Sequence, residues 1–346
     1  MAFQRYRWVI GSTVLTIFFF IFQYHDSAFS SFDIDTAAEA PVDVDWSRFA
    51  YIQYATNSDY LCNSLMFFEA LHHFSSPADR ALMYPSNILL SEDDGSEDAR
   101  LLIKARDEYN VKLIPVAIEH REDTDCESCN PLRQQQCAAN ATHSATWADS
   151  FTKLLAFKQT QYDRVLSVDS DTVLLQSMDE LFLMPSVPIA MPRAYWLWPE
   201  KEILSSLVLL IEHSGAEFAR IVQKMSSASG DDYDMEIVNY LYRDSALVLP
   251  HRRYVMLTGE FRGEGHSKYL GSDIEIWDPA AAYNEAKLVH FSDWPLPKPW
   301  LDMREEERLE LQPDCIETAD GADCTARIIW NSFYTDFKAK RKDVCG

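Results

Sequence analysis

Short apolar runs alternate with helix-like stretches over the part of the chain that follows residue 48. A run of four to eight apolar residues is typical of a strand that is buried on both faces. Strands that alternate with helices predict a mostly parallel sheet with helices packed on both faces. We therefore expect an α/β domain. The predicted strands are residues 49–56, 80–84, 111–119 and 164–171, and the predicted helices are residues 58–74, 97–110, 145–163, 214–228 and 234–242.

An Asp-x-Asp pair, Asp169 and Asp171, stands at the end of the fourth predicted strand. The pattern occurs five times in this acidic chain, but only here does it lie between two apolar runs, residues 165–168 and 173–175. Ligands of open α/β sheets bind just beyond the carboxyl ends of such strands. Two carboxylates this close repel each other, and a metal ion between them offsets the repulsion. The pair is therefore a candidate site for Mn²⁺ or Mg²⁺, which hard carboxylate oxygens suit.

The overall charge and the scarcity of glycine exclude several classes of function. A net charge of −23 argues against a nucleic-acid partner, because phosphate binding needs a basic surface. The 10 glycines include no Gly-rich loop, so neither a P-loop nor a dinucleotide-binding fingerprint is present. A single nucleotide that is held through a cation stays compatible with this charge.

The N-terminal residues are typical of a membrane anchor. Arg5 and Arg7 precede an uncharged stretch, residues 8–24, which as a helix would be about 25 Å long, near the lower limit for a membrane span. The basic side is expected to stay cytoplasmic, which places the following residues in the lumen. A cleaved signal peptide is the alternative, and both send the chain into the secretory pathway, where the sequon at Asn140 could be glycosylated. The predicted organisation is a tail at 1–7, a transmembrane anchor at 8–24, an acidic stem at 25–47 and a lumenal domain at 48–346.

The seven cysteines agree with an oxidising compartment, because six of them lie in polar segments, where lumenal cysteines usually pair. We expect a disulfide between Cys315 and Cys324, which are close in sequence. We expect Cys62, in an apolar helix, to be the unpaired thiol. Cys126 and Cys129 could suggest zinc or redox chemistry, but no second Cys/His pair with metal spacing follows them, so a disulfide framework is favoured.

Two kinds of enzyme place Asp-x-Asp at the end of a buried strand. A haloacid-dehalogenase-type phosphatase does so, but its motif normally opens the domain, whereas at least three strand–helix units precede the pair here. A nucleotide-sugar glycosyltransferase of the GT-A fold uses the pair to hold a divalent cation, which in turn holds the diphosphate of the donor. This second reading predicts a third metal ligand and a cationic helper further along the chain. The segment "HFSDWPLPKPW" supplies both, as His290 and Lys298.

This segment resembles the end of the catalytic domain in the glycogenin-like family of retaining glycosyltransferases. The resemblance implies that His290 is the third metal ligand and that Lys298 contacts the diphosphate. The gap between the two is two residues longer than in glycogenin, with Pro295 and Pro297 inserted. Residues 160–182 follow the family pattern most closely.

The resemblance covers most of residues 49–300 and implies roles for further residues. Lys153 would reach the donor sugar and phosphate, and Asp234 would lie beside the anomeric carbon. There Asp234 would be a nucleophile or would only stabilise an oxocarbenium-like state. An acid at a helix N-terminus, favoured by charge alone, is the simpler explanation of Asp234. The residues implied to contact uracil and ribose are Thr56, Asn57 and Tyr60.

Departures from the family pattern concern the donor-sugar pocket. Met235 and Glu236 replace Gln and Gly, and the family's Asn-Ser-Gly appears as residues 205–207, Ser-Ser-Leu. These changes disfavour glucose as the donor sugar. Together with the segments at 290–300 and 330–346, they resemble a subgroup of fungal Golgi proteins called glucose N-acetyltransferase, which are similar to N-acetylglucosaminyltransferases.

The resemblance thus implies a single-pass type II Golgi membrane enzyme with a lumenal GT-A domain. Mn²⁺ or Mg²⁺, held by Asp169, Asp171 and His290, would bind a UDP-sugar, expected to be UDP-N-acetylglucosamine. The expected acceptor is a mannose-rich glycan or glycoprotein. UDP-glucose and UDP-galactose are alternative donors. A membrane-tethered lectin or inactive scaffold is the non-enzyme alternative, which the intact set of ligands and lysines disfavours.

Overall fold

The computed structural model describes residues 44–88, 96–118, 150–229, 232–301, 303–319 and 321–346. Residues Trp46–Gly346 make up one compact unit. No helix within the described ranges combines the length and the apolar character that a membrane span requires. Several predictions lie outside these ranges and stay predictions: the tail at 1–7, the anchor at 8–24, the stem up to residue 43, the sequon at Asn140, and Cys126 and Cys129.

The strands of the described residues form three sheets. They are β1 (Phe49–Tyr54), β2 (Asp79–Pro85), β3 (Val111–Val116), β4 (Arg164–Val168), β5 (Thr172–Leu174), β6 (Ile189–Pro192), β7 (Val208–Glu212), β8 (Leu247–Leu249), β9 (Met256–Leu257), β10 (Leu288–His290), β11 (Ile316–Thr318) and β12 (Gly321–Asp323).

The main sheet has seven strands in the order β3-β2-β1-β4-β7-β6-β8. The neighbours from β3 to β4 are parallel, and so are β6 and β8. Strand β7 runs antiparallel to both of its neighbours, β4 and β6. The prediction of an α/β fold with a mostly parallel sheet is confirmed.

Helices cover both faces of this sheet. They are α1 (Ser58–His73), α2 (Glu97–Tyr109), α3 (Gly215–Met225), α4 (Asp234–Tyr242), α5 (His251–Tyr254), α6 (Ser267–Leu270), α7 (Pro279–Glu285), α8 (Glu305–Glu310) and α9 (Thr325–Cys345). Shorter 3-10 helices lie at Trp46–Arg48, Ser150–Lys158, Asp179–Leu183, Tyr195–Leu197 and Thr258–Arg262.

Successive side chains of the central strands point into two separate apolar cores, as the pleat of a strand requires. On β1, Tyr51 belongs to the core under α1, α2 and α9. Its neighbours Ala50 and Ile52 belong to the core under α3, α4 and the 3-10 helix Ser150–Lys158. Because both faces are buried, the central strands read as continuous apolar runs in the sequence.

The helix predicted at 145–163 is described from residue 150 onward, where Ser150–Lys158 form a 3-10 helix and residues 159–163 lie outside any helix. In a 3-10 helix the side chains at i and i+3 are aligned, so Ser150 and Lys153 lie on one face. Both of them contact Asp234, the first residue of α4. The 3-10 geometry therefore directs this face towards the candidate site.

Two disulfides crosslink the C-terminal part of the chain. Cys315 and Cys324 are joined, which is the pairing expected from the sequence. The expectation that Cys62 is an unpaired thiol is wrong, because Cys62 is bonded to Cys345. The reason is tertiary: α9 packs along α1, where Arg341 also binds the backbone and carboxylate of Asp59. The two cysteines are 283 residues apart, so local sequence could not show the contact.

Candidate active site

Asp169 and Asp171 lie in the short link between β4 and β5, at the carboxyl end of β4. Two hydrogen bonds shape this link: the Asp169 N–H donates to the Leu207 carbonyl at 3.0 Å, and the Thr172 hydroxyl donates to the Asp169 carbonyl at 2.7 Å. Each carboxylate side chain keeps 15% of its surface exposed. The pair is therefore largely desolvated and still accessible to a ligand.

His290 reaches the acid pair through the second sheet. Strand β10 pairs antiparallel with β5, and in this register His290 lies opposite Thr172, the residue that follows Asp171. The His290 Nε2 atom is 3.0 Å from Asp171 Oδ2. One ligand atom from each of Asp169, Asp171 and His290 lies within 4.8 Å of the others. The structure thus brings together the three residues that the sequence predicted as metal ligands.

The three side chains fit a hard divalent cation. Two carboxylates and one imidazole are ligands that Mn²⁺ accepts. The ring nitrogen of His290 that faces Asp171, Nε2, is the one placed to bind such an ion. The site would supply the oxygen and nitrogen ligands that such an ion requires.

Lys298 contacts the acid pair through Asp171. Its Nζ atom donates to Asp171 Oδ2 at 2.7 Å and also to the Phe291 carbonyl. Its side chain is 30% exposed, so it can contact a ligand as well as the acid pair. The longer gap after His290 therefore does not remove Lys298 from the site.

Lys153 is buried between two carboxylates. Its Nζ atom lies 2.6 Å from Asp169 Oδ1 and 2.6 Å from Asp234 Oδ2. The ammonium group also donates to the Ser206 carbonyl at 3.2 Å. Only 2% of Lys153 and 8% of Asp234 is exposed. Lys153 thus connects the acid pair with the first turn of α4 and with residues that precede β7.

The electrostatics of the two aspartates differ although they are neighbours. Burial, together with Asp171 and Asp234, raises the pKa of the Asp169 carboxyl to about 7, against the opposing effect of Lys153. Burial alone would also raise the pKa of Asp171, but His290 and Lys298 outweigh it and lower this pKa below its usual range. Burial lowers the pKa of His290, which favours the neutral imidazole that binds metals.

The loop between β1 and α1 lies at the same edge of the sheet, because β1 and β4 are parallel. Thr56 is half-buried in this loop, and Asn57 caps α1, where its Oδ1 accepts the Tyr60 N–H at 3.2 Å. The Tyr60 ring packs edge-on against Trp300, with 5.6 Å between ring centroids. The predicted donor-binding loop therefore contacts the segment that carries Lys298.

Tyr54 is a site residue that the sequence argument did not identify. It ends β1, and its ring centroid lies 6.0 Å from the Lys153 Nζ atom. Burial and the nearby Asp169, Asp234 and Asp171 raise its pKa well above the usual value, so its hydroxyl stays protonated. Its position at the end of a buried strand, like that of the acid pair, was the available signal.

The formal charges of this cluster suit an anionic ligand that arrives with a cation. Three carboxylates face two ammonium groups, which leaves one net negative charge. A divalent cation would reverse this to one net positive charge, at the place where a diphosphate would lie. The site can therefore bind a metal and then an anion.

Comparison with curated proteins identifies close relatives in fungi. Glucose N-acetyltransferase 1 of Gibberella zeae is 58% identical over 309 residues, which cover 87% of this chain and 63% of that protein. Glucose N-acetyltransferase 1 of Aspergillus fumigatus is 45% identical over 316 residues, which cover 87% of this chain and 78% of that protein. The chain belongs to this family. This membership confirms the subgroup that the sequence resembles.

The remaining comparisons do not extend this assignment. The chain spans less than two thirds of the length of the Gibberella zeae relative. No protein-family model matches the chain. Among solved structures, the galactosyltransferase LgtC in complex with donor and acceptor sugar analogs superposes with a TM-score of 0.46 and 15% identity, over 76% of this chain and 94% of that one. A superposition at this level carries no weight for function.

Proposed function

We propose that the chain is a metal-dependent glycosyltransferase of the GT-A type, which transfers a sugar from a UDP-sugar to a glycan. The observation that carries the proposal is the meeting of Asp169, Asp171 and His290 at one edge of the sheet, with Lys153 and Lys298 against the acid pair. A divalent cation on these ligands would act as a Lewis acid towards the departing diphosphate. Membership of the glucose N-acetyltransferase 1 family supports the same class of reaction.

The two lysines hold fixed positive charge where the leaving group becomes negative. Lys298 would contact the diphosphate, and Lys153 would lie between the diphosphate and the sugar. Because both ammonium groups are already oriented by carboxylates, they need little rearrangement when the bond to UDP breaks. The predicted contacts of the uridine with Thr56, Asn57 and Tyr60 complete the donor site.

Asp234 would stabilise positive charge on the sugar ring. Its carboxylate is ion-paired with Lys153 at 2.6 Å, which reduces its strength as a nucleophile. Electrostatic stabilisation of an oxocarbenium-like state, with retention of configuration, is therefore the role we propose.

The donor sugar that we propose is N-acetylglucosamine, and the acceptor is a mannose-rich glycan. The relatives belong to the glucose N-acetyltransferase subgroup, whose similarity to N-acetylglucosaminyltransferases suggests this donor. Ser205, Leu207, Met235 and Glu236 depart from the pattern of glucose-transferring proteins. Ser206, which lies between the first two, contacts Lys153 in the proposed sugar pocket. UDP-glucose and UDP-galactose are the alternative donors to test.

A lumenal position in the Golgi, behind an N-terminal anchor at 8–24, is proposed from the sequence alone. Protease protection of residues 48–346 in intact Golgi vesicles, and its loss after detergent, would support this topology. Cleavage of these residues in intact vesicles would refute it.

UDP release tests the proposed reaction. The purified full chain is incubated with a panel of UDP-sugars and a mannose oligosaccharide, with and without Mn²⁺. We expect metal-dependent release that is greatest with UDP-N-acetylglucosamine, lost in Asp171→Asn and retained in Asp244→Asn, a matched change at an exposed carboxylate. Preference for another UDP-sugar would refute the donor only. No release and no Mn²⁺-dependent UDP binding would leave a lectin or scaffold, and phosphate release from sugar phosphates would favour a phosphatase.

A further inference from the structure

The two residues that flank a short loop, residues 292–297, both bind Asp171 of the acid pair. The residue before it, Phe291, donates its N–H to the Asp171 carbonyl at 3.1 Å. The residue after it, Lys298, donates to the Asp171 carboxylate at 2.7 Å. Both ends of this loop therefore lie beside the proposed metal and donor site.

Asp293 anchors this loop to helix α9. This side chain is 6% exposed, and its two oxygens accept hydrogen bonds from Trp330 Nε1 at 3.0 Å and from the Tyr334 hydroxyl at 2.8 Å. Both donors belong to α9. Leu296 is also buried, and its N–H donates to the Asp293 carbonyl at 2.8 Å. With Pro295 between these anchors and Pro297 directly after Leu296, the loop has little freedom to collapse onto the protein.

Trp294 is turned outward at the tip of this loop, with 78% of its surface exposed. The other described tryptophans are buried or half-buried. Exposing a whole indole forgoes the burial of a large apolar surface. What distinguishes Trp294 from other exposed apolar side chains is that its loop is held at both ends by contacts to Asp171.

We propose that Trp294 is the stacking surface for a sugar ring of the acceptor glycan, an inference that rests on the proposed function and deepens it. The face of an indole carries partial negative charge, and one face of a pyranose carries only C–H bonds with partial positive charge, so the two attract. The donor sugar has its own place at Lys153, Ser206 and Asp234, which are buried. An exposed ring on the loop that flanks the site is available to the molecule that enters second, which is the acceptor.

The neighbours of Trp294 favour a sugar over a membrane. The other exposed residues of its loop are Ser292 and Pro295, so Trp294 is the one large apolar side chain that residues 292–297 expose. A membrane-binding surface would combine several apolar side chains with basic residues. Trp294 is therefore a substrate-positioning residue that contacts the acceptor.

The test compares Trp294→Ala and Trp294→Phe with Tyr240→Ala. Tyr240 is a matched control, because it is 74% exposed and lies at the far end of α4 from Asp234. With UDP-N-acetylglucosamine, Mn²⁺ and a mannose-terminated oligosaccharide, we expect Trp294→Ala to raise the acceptor KM about tenfold, the loss of one stacked ring. The donor KM and Mn²⁺-dependent UDP binding should stay unchanged, and Trp294→Phe should recover most of the loss.

Several results would overturn this role. An unchanged acceptor KM in Trp294→Ala, with UDP binding and turnover intact, would refute the stacking role and leave the proposed function standing. An equal rise in the donor KM and the acceptor KM would mean that the change disturbs the donor site. Reduced binding to vesicles of anionic lipid with an unchanged acceptor KM would assign Trp294 to a membrane. A wild-type chain that neither binds UDP with Mn²⁺ nor releases it from any donor would refute the proposed function itself.

Discussion

Replacing Lys153 with methionine tests the electrostatic organisation of the site. Methionine fills a similar volume, so the change removes the positive charge and leaves the packing largely intact. Two carboxylates, Asp169 and Asp234, then lose the ammonium group that lies 2.6 Å from each. Both stay buried, and they must repel each other or take up a proton.

The distances in the site give the expected loss of unfolding free energy. At 2.6 Å and an effective dielectric constant of 20, each ion pair contributes about 6 kcal/mol of Coulomb energy. Removing the lysine also removes its own desolvation penalty, which offsets much of this gain. Breaking a buried pair by deleting one partner costs about 3–5 kcal/mol of unfolding free energy. For a domain of this size, that corresponds to a fall in Tm of roughly 5–10 °C.

Urea unfolding followed by tryptophan fluorescence measures this loss, and metal-dependent UDP release measures activity. Lys158→Met is the matched control, because Lys158 is exposed on the same 3-10 helix. We expect the control to stay within about 0.5 kcal/mol of wild type. Activity of Lys153→Met should fall by about a hundredfold or more. A free energy of unfolding within 1 kcal/mol of wild type, with full activity, would refute the view that Lys153 organises the site.

Three further predictions concern the metal ligand, the disulfide and acid stability. Asp171→Ala should abolish turnover and leave the circular dichroism spectrum unchanged; wild-type rates would exclude a metal role for this carboxylate. Cys345→Ser should lower the unfolding free energy by about 2–5 kcal/mol, because Cys62 loses its long-range crosslink, and reducing agent should then have a smaller effect than on wild type. Burial lowers the pKa of His251, whose ring nitrogen contacts the Tyr269 carbonyl at 2.6 Å, so stability should fall as pH drops below the unfolded value of about 6.5. In His251→Gln, the free energy of unfolding should differ less between pH 7 and pH 5.5 than it does in wild type. An equal difference in both proteins would show that another group is responsible.

The strands were the most predictable elements, and the reason is visible in β1 and β4. Both are covered by helices on both faces, so their sequences are apolar throughout and stand out from polar surroundings. Their lengths were overestimated where apolar residues continue into a loop, as at Ala55 beyond the end of β1. The 3-10 form of Ser150–Lys158 was not predictable, because its apolar periodicity also fits an α-helix.

The sequence alone determined the strand–helix alternation, the place of Asp169 and Asp171 at a strand end, and the family. Each of these depends on residues that are neighbours along the chain or on a motif read as a whole. Only the tertiary structure decided which distant groups meet: Lys153 with Asp234, Cys62 with Cys345, and Asp293 with the helix that holds the Trp294 loop. Contacts between residues so far apart depend on how all the intervening elements pack, and no local pattern of hydrophobic and polar residues specifies that packing.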